Sequence, residues 1–267
     1  MNRQGLLLCA KYAVSPNFFG YCGPSKSSGL IDHLKESLAD KEVCNILSDF
    51  ETLYPYLQLI ARQNKINDPF DQRVVEAYWI GNSLLKPVDA FEFRAFSKEK
   101  LILDKKLPKK NFQELLTNIS KKPFLPHHAF HVFNVFKRSV ANLGSYVLLA
   151  MDECRIGHGI VKRQKSHPRR AVARAALARR RQGFGGQAVK SFLVETRPLI
   201  KKNNGLDFGL SMLREIKVDY KGKSFVKDLK VGDLVSFHWG FVCDVLTEKQ
   251  IKNLRHYTQK AIDFYNQ

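Results

Sequence analysis

The apolar periodicity of the chain changes near residue 150, and this change constrains the fold more than any other feature. Before it, apolar residues recur at helical spacing. Leu30, Ile31, Leu34 and Leu38 mark a short amphipathic helix, with Ser27 or Ser28 placed to cap it. Val43, Ile46, Leu47, Phe50, Leu53, Tyr54 and Leu57 continue the pattern, and Pro55 should start or kink a helix there. Asp68-Pro69 reads as a cap followed by a proline at the first helical position. Val74, Val75, Tyr78 and Trp79 give that helix its buried face, and Gly81-Asn82 can end it. Residues 101–103 read as a short strand, and 127–136 fit either period, with helix preferred.

After Met151 the pattern becomes short β-branched runs at 156–161, 192–196, 216–220 and 234–238, separated by Gly, Lys-rich and Asn-Gly turns. That texture predicts a small β-barrel or sandwich. Thr247-Glu248-Lys249-Gln250 is a capping box, and Ile251, Leu254, Ala261, Ile262 and Tyr265 form the apolar stripe of a closing helix. The expected class is therefore α+β: a mainly helical domain over residues 1–150, then a barrel with a C-terminal helix over 151–267.

The net charge of +19 invites a nucleic-acid reading, but its distribution argues otherwise. Residues 163–188 carry eight basic groups and no acidic one, which leaves +11 on the rest of the chain. This Ala/Arg/Gly-rich block has almost nothing to bury beyond Leu177 and Phe184. Its flanks read as two strands joined by a tight turn, so it is expected to be a disordered insertion at a hairpin tip, where added length costs little closure entropy. An arginine-rich arm binding phosphate unselectively is the functional alternative.

No apolar run approaches the roughly 20 residues of a membrane span. The longest, from Val140 to Met151, is broken by Asn142, Gly144 and Ser145. The start of the chain has too short an apolar stretch for a signal peptide, which points to a cytoplasmic protein with reduced cysteines. The five cysteines contain no CxxC pair, so zinc-knuckle and thioredoxin-type readings have no support.

The strongest chemical signal joins two distant segments. The first runs from Met151 through Asp152, Glu153, Cys154, Arg155, Ile156, Gly157, His158 and Gly159. The second is Val231-Gly232-Asp233-Leu234-Val235-Ser236-Phe237-His238-Trp239-Gly240-Phe241. Cys154 with Gly159, and Val231, Gly232, Asp233, Val235, His238, Gly240 and Phe241, resemble the motifs of the HypC/HupF family of nickel–iron hydrogenase maturation chaperones. The resemblance covers Cys154 to the end of the chain, less the basic block, and implies an OB-like barrel. It implies that Cys154 and His238 transiently hold iron, which is passed toward a hydrogenase large-subunit precursor or other maturation proteins. A soft thiolate with an imidazole suits iron on chemical grounds alone. Three departures stand in the sequence: Cys154 is internal, His158 sits where the family has proline, and Trp239 replaces a small residue.

Other candidates are weaker. His127 and His131 would share a helix face at metal-ligand spacing, but His128 and Ala129 exclude the HExxH arrangement. Cys243 could join either site or simply pack. Gly20-Tyr21-Cys22-Gly23-Pro24-Ser25-Lys26-Ser27 imitates a phosphate loop, but lacks its second glycine and loses an amide to Pro24. Cys22 remains a possible reactive thiol. Asp68 and Asp71 read as helix-start chemistry, not as a catalytic pair. Segments 20–24, 75–82 and 126–133 are similar to an uncharacterised bacterial family that runs the full length of the chain. The favoured reading is an accessory maturation factor and not an enzyme. The alternatives are a Cys/His-dependent metal- or thiol-using enzyme and an OB-like nucleic-acid-binding protein.

Overall fold

The computed structural model describes residues 2–24, 29–136, 146–165, 190–203, 205–220 and 222–267. The caps expected at Ser27 or Ser28, the breaks at Asn142, Gly144 and Ser145, and block residues 166–188 lie outside them.

The fold is α+β. The helices before the barrel are α1 (Arg3–Phe18), α2 (Leu30–Lys35), α3 (Lys41–Ser48), α4 (Leu53–Gln63), α5 (Gln72–Trp79), α6 (Ala90–Glu99), α7 (Leu103–Lys106), α8 (Lys109–Lys121) and the single turn α9 (His128–Phe130). A π-helical stretch, His131–Phe136, follows α9, and α10 (Tyr146–Cys154) leads into the barrel. Pro55 sits in the first turn of α4, where its missing N–H has no intrahelical partner to lose.

Two local expectations are corrected. The cap of α5 is Asp71, whose carboxylate accepts from Arg73 N at 2.9 Å, while Asp68 instead accepts from Phe70 N and Asn2 N. Residues 101–103 form no strand: Ile102 has a φ of 53°, which breaks extension, and Leu103 opens α7.

The strands are β1 (Gly157–Lys165), β2 (Ser191–Thr196), β3 (Leu199–Lys202), β4 (Gly205–Phe208), β5 (Met212–Lys217), β6 (Leu234–His238) and β7 (Phe241–Val245). Five of them close a barrel in the order β1-β2-β5-β7-β6, with β3 and β4 as a separate hairpin. All barrel pairings are antiparallel except β5 with β7, which is the Greek-key arrangement of an OB-like barrel. The run expected at 216–220 is shifted, since β5 ends at Lys217. Arg163, Gln164 and Lys165, counted above with the basic block, pair with Leu193, Phe192 and Ser191 as ordinary strand residues.

Val161, Phe192, Val194, Ile216, Val218, Val235, Phe237 and Val242 fill the barrel. Outside it, a single apolar cluster runs from Leu6 and Tyr12 through Trp79 and Phe130 to Phe241, Leu254 and Phe264, so both halves of the chain contribute to it. The closing helix α11 (Glu248–Tyr265) begins with the reciprocal Thr247–Gln250 capping box and buries Ile251, Leu254, Ala261 and Ile262. Among the described residues, no helix is long and apolar enough to cross a membrane.

Candidate metal centre

The centre is built where α1, α5, α9, α10 and the β6–β7 hairpin meet. Cys154 is the last residue of α10. Its neighbours anchor it. The buried Arg155 guanidinium pairs with Asp152 at 2.7 Å, Asp152 also accepts from Leu199 N at 2.8 Å, and Arg214 bridges Asp152 and Glu153. The Glu153 carbonyl accepts from Trp239 N at 3.0 Å, which ties the end of α10 to the hairpin tip.

His238 closes β6 and is 1 % exposed. The turn after it places Trp239 at φ 49° and Gly240 at φ 74°, two left-handed residues in succession, as a two-residue primed turn requires. The position of the imidazole follows from a proline. Pro16 lies inside α1 and has no N–H, so the Tyr12 carbonyl lacks its donor four residues on. His238 Nδ1 fills that vacancy at 2.8 Å. A carbonyl only accepts, so Nδ1 carries the proton and Nε2 keeps its lone pair. That Nε2 is buried and has no hydrogen-bond partner.

His128 is held from both sides. Its Nε2 lies 2.8 Å from the Cys154 carbonyl and its Nδ1 3.1 Å from the Tyr78 hydroxyl. By the same logic Nε2–H donates to the carbonyl and Nδ1 accepts from Tyr78. The His128 and His238 rings meet edge to face at 5.4 Å, with Trp79 packed 4.6 Å from the first and 5.8 Å from the second.

Cys154, His128 and His238 each present a ligand atom, and these atoms lie within 4.8 Å of one another. Burial pushes the His238 imidazole down to about 4 and the His128 imidazole well below its usual value. It pushes the Cys154 thiol up to about 12, against the smaller opposite influence of the Trp239 indole N–H. At neutral pH the cluster is thus one thiol and two neutral imidazoles. A divalent cation has only the thiol proton to displace. One sulphur and two nitrogens suit zinc, iron or copper and not the oxygen-seeking magnesium or calcium. The unpartnered Nε2 beside a thiol is the observation by which the residues fit such an ion.

The cluster opens onto a cavity of about 270 Å³ lined by Cys22, Cys154, His128, His131, His238 and Trp239 among a mainly apolar wall. The structure therefore brings Cys154, His238, His131 and Cys22 to one cavity. It does not bring His127 there. His127 is the N-cap of α9, extended at ψ 148°, so helical i,i+4 spacing does not relate it to His131. It lines a second cavity of about 250 Å³ and stacks on Tyr257. Cys243 is buried in β7, where its thiol faces the Phe241 carbonyl at 3.7 Å.

The remaining motif residues have structural work. A Cβ on Gly159 would lie 2.3 Å from the Glu195 carbonyl oxygen, so the β1–β2 approach requires glycine. Gly232 N donates to the Val161 carbonyl and Asp233 accepts from Lys230 N, which shapes the turn into β6. Phe241 stacks on Tyr220 at 4.3 Å. Sequence reasoning passed over His128 as a ligand. Its position between two other histidines was visible, but its contact with Cys154 spans 26 residues and belongs to tertiary structure.

A helical body closing over an OB-like barrel, with one thiol and two imidazoles at the seam, defines a candidate transition-metal-binding protein. The chain belongs to DUF6390, a family of unknown function whose model matches residues 1–187 and 183–267. The two matched stretches meet within the basic block. Comparison with curated proteins and with solved structures gave no match.

Proposed function

We propose that the chain is a metal-holding accessory factor, with Cys154 and His238 as primary ligands and His128 as the third. In this reading it serves nickel–iron hydrogenase maturation by contact with the large-subunit precursor, and iron is its cargo. The observation that carries the metal-holding part is the buried, unpartnered His238 Nε2, whose tautomer is set by the Tyr12 carbonyl, within 4.8 Å of the cysteine sulphur. The maturation part rests on the HypC/HupF resemblance. It is supported by the meeting of the two motif residues at one edge of a five-stranded barrel.

A second reading, a metal-using enzyme, is favoured by one feature. His238 is enclosed by the helical body and faces a 270 Å³ cavity, as a resident metal with a small substrate would require. Anaerobic loading of the full chain with Fe²⁺ or Zn²⁺ should give one ion per chain. Cys154→Ser or His238→Ala should weaken binding by at least about 100-fold, more than loss of an outer-shell partner does. Native chain should retain the large-subunit precursor in a pull-down, and Cys154→Ala should lose it. Metal binding without any precursor retention would remove the maturation reading in favour of the enzyme.

A further inference from the structure

The three-ligand cluster leaves a fourth tetrahedral position open toward the cavity. Among the described residues, the other sulphur on that cavity wall is Cys22. It does not lie within 4.8 Å of all three ligand atoms, so it is not part of the preformed cluster. It stands on the turn after α1, between Gly20 at φ 72° and Gly23 at φ 89°. That turn is docked on the hairpin that carries His238. Tyr21 lies 4.4 Å from the Trp239 ring and Phe19 lies 5.4 Å from Phe241. Cys22 is the one exposed thiol of the five, so it sits at the mouth, while the other ligands form the floor. The buried His238 Nε2 supplies the independent sign that this cavity is built for an ion.

We propose that Cys22 is the detachable fourth ligand of the metal held by Cys154, His238 and His128. The loaded centre is then a closed site of two sulphurs and two nitrogens, and it opens when the Cys22 turn withdraws. Loading releases both thiol protons to solvent while the imidazoles, already neutral, release none. Withdrawal of Cys22 returns one proton to its sulphur and frees one coordination position for an incoming ligand or a receiving protein. The proposal rests on the metal reading above and extends it by naming the gate.

The test uses the full reduced chain, with Co²⁺ and Zn²⁺ alone as probes. Thiolate-to-cobalt charge-transfer absorption scales with the number of sulphur ligands, so Cys22→Ser should keep one ion per chain and lose about half of that intensity. In the metal-free protein the fastest thiol toward a disulphide reagent should be Cys22, assigned by its absence in the variant. One equivalent of Zn²⁺ should slow that thiol at least about tenfold, because a coordinated thiolate is a shielded nucleophile. Unchanged absorption in Cys22→Ser together with an unprotected Cys22 overturns the proposal while leaving the metal reading intact. Loss of a ligand signal in His131→Ala instead assigns the fourth position to His131 and equally overturns it. Failure of the native chain to bind either ion removes the metal reading and this proposal together.

Discussion

Pro16 cannot donate to the Tyr12 carbonyl, and that missing helical bond sets the proton on His238. A helix interior rarely tolerates proline, because the lost bond and the ring clash cost about 3 kcal/mol. Here the freed carbonyl orients an imidazole, so the local defect has a use. Tyr78 does the same for His128 through its hydroxyl. Tyr78→Phe should leave the fold intact and weaken metal binding by about tenfold, the lower range for an outer-shell partner. Competition with a chromogenic chelator measures it, and an unchanged affinity would show that His128 needs no such support. At this scale the sequence was partly readable. Cys154 and His238 could be singled out because each sits in a dense local motif. His128 and Tyr12 could not, since their roles depend on contacts across 26 and 226 residues.

Elements whose signals are local matched expectation, and elements whose signals are shared did not. The Thr247–Gln250 box starts α11 where the four residues say it should. The cap of α5 moved from Asp68 to Asp71, because two aspartates three residues apart both suit a helix start and the backbone after Pro69 decides between them. Strand β7 was read only as part of a motif, since residues 241–245 alternate poorly and are buried on most positions. The β6–β7 turn is the element on which the centre most depends. Gly240→Val puts a β-branched residue at φ 74° and should destabilise the protein by about 1–2 kcal/mol. A drop in Tm of a few degrees, with weaker metal binding from a displaced His238, is the expected result; an unaltered Tm would show that the turn relaxes freely.

On the scale of the molecule, the helical body and the barrel are joined by polar contacts as well as by the apolar cluster. Tyr12 meets Ser236 at 2.9 Å, Lys11 meets Asp244 at 2.8 Å, Gln250 meets Glu76 at 2.9 Å, and Tyr257 donates to the Asn82 carbonyl at 2.8 Å. Periodicity marks which face of each element is buried but not which faces meet, so this seam could not be read from the chain. The same seam buries histidines in neutral form. His238 and His131 are held down to about 4 and His127 to about 3, chiefly by burial, and His128 is lowered likewise. The unfolded chain therefore binds more protons once the pH falls below about 6.5. Stability is full above that value and is lost toward the folded values, at up to about 1.4 kcal/mol per pH unit for each histidine. Urea midpoints for the metal-free protein should be level from pH 8 to 7 and fall steeply from 6 to 5. A level midpoint down to pH 5 would mean that these rings are solvated.

The chain has two tryptophans, and both border the centre. Trp79 packs against His128 and His238, and Trp239 lies beside His238 with a buried indole nitrogen and its ring against Tyr21. The ultraviolet emission of the whole protein thus originates within a few ångströms of Cys154. Quenching by a paramagnetic ion, or a spectral shift as the Tyr21 ring moves off Trp239, would report occupancy and opening of the site in real time without any label.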